Sequence, residues 1–339
     1  MAKGPPPTPV VIGLSAVVVA VRDAEAMVLT VQPRGLQDDA SAEPAGLPFG
    51  PFDPDGHRTF ELALRAFVTA QTRFDLGYVE QLYTFGDRGR DAPLADMGAG
   101  AESAPGAPPS RVISVGYLAL TPKAVDTEAP DTAWAPWTRF FPWEDWRQGR
   151  PALIDEAIAP ALRRWAGRDD SRLARARLLF ALDDAGWNEE RVLDRYELLY
   201  EAGLAPEAAR DRSRDRGEDA VEPRALSAAL GEPMLSDHRR ILATGLGRLR
   251  GKLKYRPVVF ELMPAEFTLS ALQRAVEAIS GVPLHKQNFR RVVERIDLVE
   301  GLGRMDTETG GRPAELFRFR RELLTQRPAG GLSLPLLRD

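Results

Sequence analysis

Residues 57–73, HRTFELALRAFVTAQTR, predict the helix on which the fold assignment depends. Three bulky side chains recur there at helical spacing and are expected to face a core, namely Phe60, Leu64 and Phe67. The remaining face holds three small, uncharged side chains, namely Ala66, Thr69 and Ala70. The helix therefore offers a packing stripe and almost no groups that could bind a metal or catalyse a reaction.

Apolar runs on both sides of this helix predict β-strands. They lie at residues 10–21, 26–31, 78–85 and 111–121. The first run, VVIGLSAVVVAV, has 12 residues, which is too few to span a bilayer, so we expect a buried strand rather than a membrane segment. Strands around one amphipathic helix are typical of an α/β domain, and two small, polar stretches are predicted as loops, at 35–46 and 92–110.

The composition excludes several classes of site. The chain has 339 residues, enough for two or three domains, with 44 % hydrophobic and 28 % charged residues, as in ordinary globular proteins. It contains no cysteine, which excludes disulfides, thiolate metal sites and cysteine nucleophiles. No signal peptide or membrane segment is recognised, so the expected location is the cytoplasm.

A change of pattern at residue 150 predicts a helical insert. Three helical patterns with glycine stops cover 150–205, with Asn188 as an N-cap and Gly203 as a C-cap of the third. Residues 205–225 are charged and nearly free of large apolar groups, which indicates a linker or a frayed helix. The stretch WAPWTRFFPWEDW at 134–146 is expected to pack a junction between domains rather than to stack on bases.

From residue 236 onwards the order of elements predicts a winged helix-turn-helix. A leucine stripe is followed by a helix capped by Thr268, a short turn, a second helix and a β-hairpin. Residues 238–321 hold 17 Lys and Arg against 9 Asp and Glu, whereas residues 1–237 hold 26 against 38. This contrast favours an anionic partner for the C-terminal module. A winged helix that binds another protein is the alternative.

The second helix of this module carries the predicted contacts to double-stranded DNA. Recognition helices present their N-terminal side chains to base edges, and a wing contacts phosphate or the minor groove. The predicted DNA-binding residues are Thr268, Ser270, His285, Lys286, Gln287, Asn288, Arg290, Arg291, Arg304 and Arg312.

Two sets of strings carry a resemblance to a known family. KLKYRPVVFELMPAEFTLSALQRAVEAISG, NFRR and GGRPAELFRF resemble the C-terminal part of the Nudix-related transcriptional regulators. YVEQLYTFGDRGRD and RVISVGYLAL are similar to stretches of the Nudix-like domain of the same family. Together they cover residues 10–121 and 236–320. The long insert resembles the NadQ-type regulators of NAD synthesis from alphaproteobacteria.

The resemblance implies an α+β fold in three parts. They are a Nudix-like α/β sandwich domain that senses a nucleotide (10–148), a helical insert with a linker (149–235) and a winged helix-turn-helix (236–325). It also implies a homodimer that binds a palindromic operator and represses genes of NAD biosynthesis. The expected effector is NAD, ATP or ADP-ribose in the ancestral Nudix pocket, with no other cofactor and no membrane partner.

The same resemblance explains the bare helix at 57–73. Nudix hydrolases carry the box G-x5-E-x7-R-E-U-x-E-E-x-G-U, in which U is a bulky aliphatic residue. Without gaps, Arg65 falls on the box arginine, while the glutamate positions fall on His57, Ala66, Thr69 and Ala70. Magnesium needs hard oxygen ligands, and Glu61 is not at a ligand position. We therefore expect no catalytic residues and no metal site, with an active dinucleotide or ADP-ribose hydrolase as the alternative.

The predicted effector site combines arginines for a diphosphate with aromatic rings for a base. Its residues are Arg34, Phe49, Arg65, Tyr83, Phe85, Asp87, Arg90 and Ser114. Tyr83 and Phe85 have an alternative role in the core, and Arg65 has one in an ion pair with Asp75 or Glu80.

Overall fold

The structure, a computed structural model, describes residues 10–32, 44–73, 75–86, 111–122, 124, 129, 131–216, 229–306 and 313–323. Its N-terminal part is a mixed sheet in the order β4-β5-β1-β2-β6, with β3 paired to β1 and a parallel pair at β1–β5. The strands are β1 (Val10–Arg22), β2 (Glu25–Val31), β3 (Phe49–Pro51), β4 (Tyr78–Phe85), β5 (Arg111–Leu120) and β6 (Thr132–Pro136).

The box helix α1 (Phe60–Thr72) covers one face of this sheet. Its Ala63, Leu64 and Val68 are buried against the alternate side chains of β1, such as Leu14 and Val18. The Thr59 hydroxyl caps the helix by accepting from the Leu62 backbone N–H at 3.2 Å. The predicted packing stripe is thus confirmed in Leu64, while Phe60 and Phe67 are only partly buried.

The opposite face of the sheet is covered by the helix that begins the predicted C-terminal module and that is expected, from its position at 235–255, to join the two domains. This helix, α6 (His238–Tyr255), buries its predicted stripe of Leu242, Leu246, Leu249 and Leu253. Its Gly245 lies against Val17 of β1, where a Cβ atom would come within 3.0 Å of the valine side chain. The sheet is therefore sandwiched between α1 and α6, so the predicted boundary at residue 236 falls just before a helix that belongs to both parts.

The insert is helical, as predicted. A π-helical turn (Ile154–Ile158) leads into α2 (Ala159–Ala166), α3 (Asp170–Phe180), α4 (Val192–Glu201) and α5 (Pro206–Arg216). The predicted N-cap Asn188 is wrong, because α4 begins four residues later and the Asn188 side chain accepts from the Glu190 N–H instead. For residues 205–225, predicted as a linker or a frayed helix, the structure has the helix α5 up to Arg216, and residues 217–228 lie outside the described chain.

The C-terminal elements follow the winged-helix order. A short 3-10 helix (Val258–Leu262) precedes β7 (Phe267–Thr268), α7 (Leu269–Ser280), α8 (Lys286–Ile296), β8 (Val299–Asp306) and β9 (Ala314–Phe319). The three strands form a small sheet in the order β7-β9-β8. Thr268 caps α7, as predicted, by accepting from the Ala271 N–H at 3.1 Å. Among the described helices, none is long and apolar enough to cross a membrane.

One hydrophobic core joins these parts. It runs from the α6 side of the sheet through the insert and α6 into the winged helix, where it includes Leu272, Val276 and Phe289. The tryptophan-rich stretch lies inside it, with Trp137 and Trp143 buried, which confirms its predicted packing role. The winged helix is therefore attached through packed side chains as well as through the chain itself.

Candidate functional sites

Arg65, at the position of the box arginine, is occupied by structural contacts. It donates to Oε1 of Glu61 from Nε at 3.0 Å and from Nη2 at 2.9 Å, and to the carbonyl oxygens of Leu76 and Gly77. Four of its five N–H groups are thereby used. Its predicted partners Asp75 and Glu80 are wrong: Asp75 accepts from the Thr69 hydroxyl, and Glu80 pairs with Lys252.

The surface of α1 around Arg65 holds mainly small, uncharged side chains. Ala66, Thr69 and Ala70 are exposed at the positions where the box has carboxylates. Glu61 is held by Arg65. Within the part of the chain that the structure describes, no three His, Asp or Glu side chains are grouped so that they could hold a metal ion.

The predicted effector residues fall on both faces of the sheet. Arg65 lies on the α1 side, whereas Phe49, Phe85 and Ser114 lie on the α6 side, because β-strand side chains alternate. One pocket cannot hold all of them. Arg34, Asp87 and Arg90 lie outside the described residues.

On the α6 side, small residues lie between aromatic walls. Strand pairing places Ser114 beside Phe85 and Gly13, and it places Ser15 beside Gly116 and Phe49. The exposed ring of Tyr83 meets that of Phe85 edge-on, with centroids 5.5 Å apart. The small residues form a floor between the two phenylalanines, and Ile241 of α6 covers this floor at Gly116. Of the predicted effector residues, the structure brings together Phe49, Phe85 and Ser114 here.

His238 closes the far side of that floor. Its ring meets Phe49 edge-on at 5.0 Å, and its Nδ1 accepts from the Leu47 backbone N–H at 3.0 Å. Burial, together with the nearby charge of Arg210, lowers the pKa of His238 from 6.5 to about 3. The imidazole is therefore neutral and acts as a hydrogen-bond acceptor that fastens α6 to the strand β3 region.

The DNA-binding candidates on α8 form an exposed row. Phe289, Val292 and Val293 bury one side of α8. The other side exposes every predicted residue of this segment, namely His285, Lys286, Gln287, Asn288, Arg290 and Arg291. This arrangement leaves two arginines, a lysine and two amides available to phosphate and base edges.

The remaining DNA-binding candidates have other contacts. Thr268 is buried and its hydroxyl is engaged as the cap of α7, while Ser270 is half-buried. Arg304 is exposed on β8 and pairs with Glu266. Arg312 lies outside the described residues. The structure thus brings the α8 residues together and leaves Thr268 with a capping role.

Most of the positive charge assigned to this module lies in α6. Residues 238–258 hold seven Lys and Arg and no acidic residue, whereas residues 259–321 hold ten against nine. Three of the α6 arginines are buried in ion pairs with the body of the protein, namely Arg239, Arg240 and Arg250. The excess of Lys and Arg in residues 238–321 therefore comes mainly from α6, whereas the exposed cations of the candidate DNA interface lie on α8.

Sequence reasoning missed Glu277, which fixes the turn between α7 and α8. Its Oε1 accepts from the Leu284 N–H at 2.8 Å and from Gln273 Nε2 at 3.0 Å. Gln273 also donates to the Leu284 carbonyl oxygen. The i,i+4 spacing of Gln273 and Glu277 was the available signal, since such pairs face one another on a helix.

Comparison with known proteins agrees with this arrangement of elements. Residues 259–319 match the family model described as the NrtR DNA-binding winged helix domain. A curated relative, the ADPR responsive transcriptional repressor NtrR of Acinetobacter baylyi, is 37% identical over 94 residues. That match covers 28% of this chain and 37% of the relative, so it compares only part of each protein.

Solved structures match over nearly the whole chain. NrtR of Shewanella oneidensis superposes with a TM-score of 0.52 at 20% identity, covering 96% of this chain and 98% of that one. The structure of the same protein complexed with a 27mer DNA gives a TM-score of 0.51 and covers 91% of this chain and 93% of that one. A MutT/nudix family protein from Enterococcus faecalis gives 0.50 at 13% identity, covering 94% and 90%. At these identities the matches concern the fold, which is a Nudix-like domain followed by a winged helix.

Proposed function

From a chain that joins a Nudix-like sheet to an NrtR-type winged helix, we propose a transcriptional repressor controlled by a nucleotide. Its α8 helix enters the major groove of a DNA operator. Its Nudix-like domain binds ADP-ribose, with NAD and ATP as the other candidate effectors, and the bound nucleotide changes the affinity for DNA. The match of residues 259–319, together with the exposed basic face of α8, carries this proposal.

The expected targets are genes of NAD biosynthesis, as in NadQ-type regulators, and the operator is expected to be palindromic and bound by a homodimer. A protein that binds such DNA acts in the cytoplasm of a bacterium. The curated relative is itself described as ADPR responsive, which makes ADP-ribose the first effector to test.

Nucleotide control requires different affinities of the effector for the DNA-bound and the free protein. Fluorescence anisotropy of the purified full chain, with labelled DNA from upstream of the NAD-biosynthesis genes of its own genome, tests the proposal. ADP-ribose, NAD and ATP are titrated separately. Salt-dependent binding that one nucleotide changes severalfold is the expected result, and no binding at low salt would contradict it.

An active hydrolase is the rival function. It predicts release of AMP from ADP-ribose that depends on magnesium. The small side chains at the carboxylate positions of α1 disfavour it, because they offer the metal no oxygen ligand of the required kind. Chromatography of ADP-ribose incubated with protein and magnesium separates the two, and we expect the substrate to remain intact.

A further inference from the structure

A buried carboxylate lies where the three parts of the chain meet. Glu144, in the 3-10 turn after β6, is completely buried. Its carboxylate accepts four hydrogen bonds, from Nε and Nη2 of Arg195, from Nη1 of Arg250 at 2.6 Å and from the Trp143 indole at 3.1 Å. Arg195 belongs to the insert helix α4, and Arg250 belongs to α6.

The two arginines extend these contacts to their neighbours. Arg195 donates to the Asn188 carbonyl oxygen at 2.8 Å, inside the insert. Arg250 donates to the Glu189 carbonyl at 2.8 Å and, through Nε, to the Ile279 carbonyl at 2.9 Å. Ile279 lies in the last turn of α7, so Arg250 connects Glu144 and the insert directly to the winged helix.

A glycine lets the winged helix approach this carboxylate closely. Gly281 ends α7 with a φ of +73°, and its carbonyl oxygen accepts from the Trp146 N–H at 2.6 Å. A Cβ atom at this position would overlap the Glu144 carbonyl oxygen and would meet Arg250 Nη2 at 2.7 Å. The end of α7 is thus seated directly on the backbone that carries Glu144.

The charged groups at this junction determine how the parts of the protein are oriented more than they strengthen the association of those parts. Hydrophobic residues of similar volume hold protein surfaces together at least as well as buried ion pairs do. Each hydrogen bond to the Glu144 carboxylate requires a particular orientation of its donor. Both guanidiniums are completely buried. If Glu144 lost its charge, two buried cations would face one another without a counterion, and the parts would move apart or admit water.

We propose that the junction formed by Glu144, Arg195, Arg250 and Gly281 fixes the orientation of the winged helix on the Nudix-like body, and that the helical insert serves to complete it by supplying Arg195. The winged helix then moves with the body as one unit while the junction is closed. Glu144 is a positioning residue in this scheme, because it acts through the two arginines that it pairs with.

Distance measurement by double electron–electron resonance tests this proposal. The chain has no cysteine, so Ala70→Cys on α1 and Glu294→Cys on α8, both at exposed positions, allow spin labelling at these two sites alone. Dilution with unlabelled protein restricts the signal to pairs within one chain. The parent protein is expected to give a single narrow distance distribution, and Glu144→Gln a distribution at least twice as broad.

Asp155→Asn is the matched control, since it removes an exposed carboxylate from an ion pair with Arg150 inside the insert. It is expected to leave the distribution unchanged. If Glu144→Gln does not fold, Gly281→Ala decides the question, because it keeps every charge and displaces the end of α7. A narrow, unshifted distribution in the folded Glu144→Gln protein, or in Gly281→Ala where Glu144→Gln fails to fold, would overturn the proposal.

Discussion

At the scale of single residues, folding of the protein disfavours protonation of His238. Its Nδ1 is an acceptor for Leu47, its ring is buried, and its pKa is lowered from 6.5 to about 3. The unfolded chain therefore binds a proton below pH 6.5, whereas the folded protein does not. Folding stability from this group is fully present above pH 6.5 and is lost as the pH falls towards 3.

We expect His238→Gln to make stability less sensitive to acid. Glutamine can still accept from the Leu47 N–H but does not ionise. The substitution is expected to remove a pH dependence of the free energy of unfolding of about 1.4 kcal/mol per pH unit between pH 6.5 and about 3. Urea unfolding at several pH values measures it, with the exposed His285→Gln as the control. Equal pH slopes for His238→Gln and the parent protein would show that the histidine is not the cause.

Arg65, which is expected to align with the arginine of the Nudix box, makes structural contacts in this protein. It donates to the carbonyl oxygens of Leu76 and Gly77, and the exposed side chains of Ala66, Thr69 and Ala70 nearby carry no charge. We expect the affinity for ADP-ribose to be the same in magnesium and in EDTA, because α1 offers the metal no ligands. Isothermal titration in both buffers tests this, and a tenfold gain in magnesium would contradict it.

At the scale of elements, α8 is a helix whose two sides have separate tasks. Phe289, Val292 and Val293 hold it in the core, so its polar side can be changed without loss of packing. We expect Arg290→Ala and Arg291→Ala each to weaken operator binding by about 1–3 kcal/mol if they reach bases. Anisotropy titrations measure this, with Arg168→Ala in the insert as the control. Unchanged affinity for both would remove α8 from the reading role.

The elements themselves were largely predictable from the sequence, because local patterns determine them. The strand predicted at 78–85 is β4, and the cap at Thr268 is confirmed. That the helix at 235–255 joins the two parts was predicted from its position in the chain, but the face of the sheet that α6 covers was not predictable, since a leucine stripe has the same period whichever surface it meets. The effector candidates lie on opposite faces of the sheet for a related reason. Strand register and the alternation of side chains decide the face on which Phe85 lies, and Arg65 lies on the face that α1 covers. No short sequence motif contains that information.

At the scale of the whole molecule, the continuous core makes the three parts depend on one another. Leu249 is completely buried within it, so Leu249→Asp places a charge in the core that has no partner there. This change is expected to unfold the protein rather than only to uncouple its domains.

We expect the full chain to unfold in a single cooperative transition. The winged helix shares its core with the insert and the sheet, so it gains much of its stability from them. Scanning calorimetry measures the number of transitions. Two well-separated transitions, one of them assignable to residues 259–319, would indicate that the winged helix folds independently.

Several cations of α6 form ion pairs within the protein, which affects the number of counterions that DNA binding would release. Arginines and lysines that already neutralise buried or neighbouring carboxylates displace no ions from a polyanion. On α8, four exposed cations remain, namely Lys286, Arg290, Arg291 and Arg295. With a slope of about −0.9 per phosphate neutralised, these four cations contribute about −4 to the dependence of log K on log salt. The formal charge of the C-terminal region, by contrast, suggests a far steeper response, and a salt series of binding constants distinguishes the two.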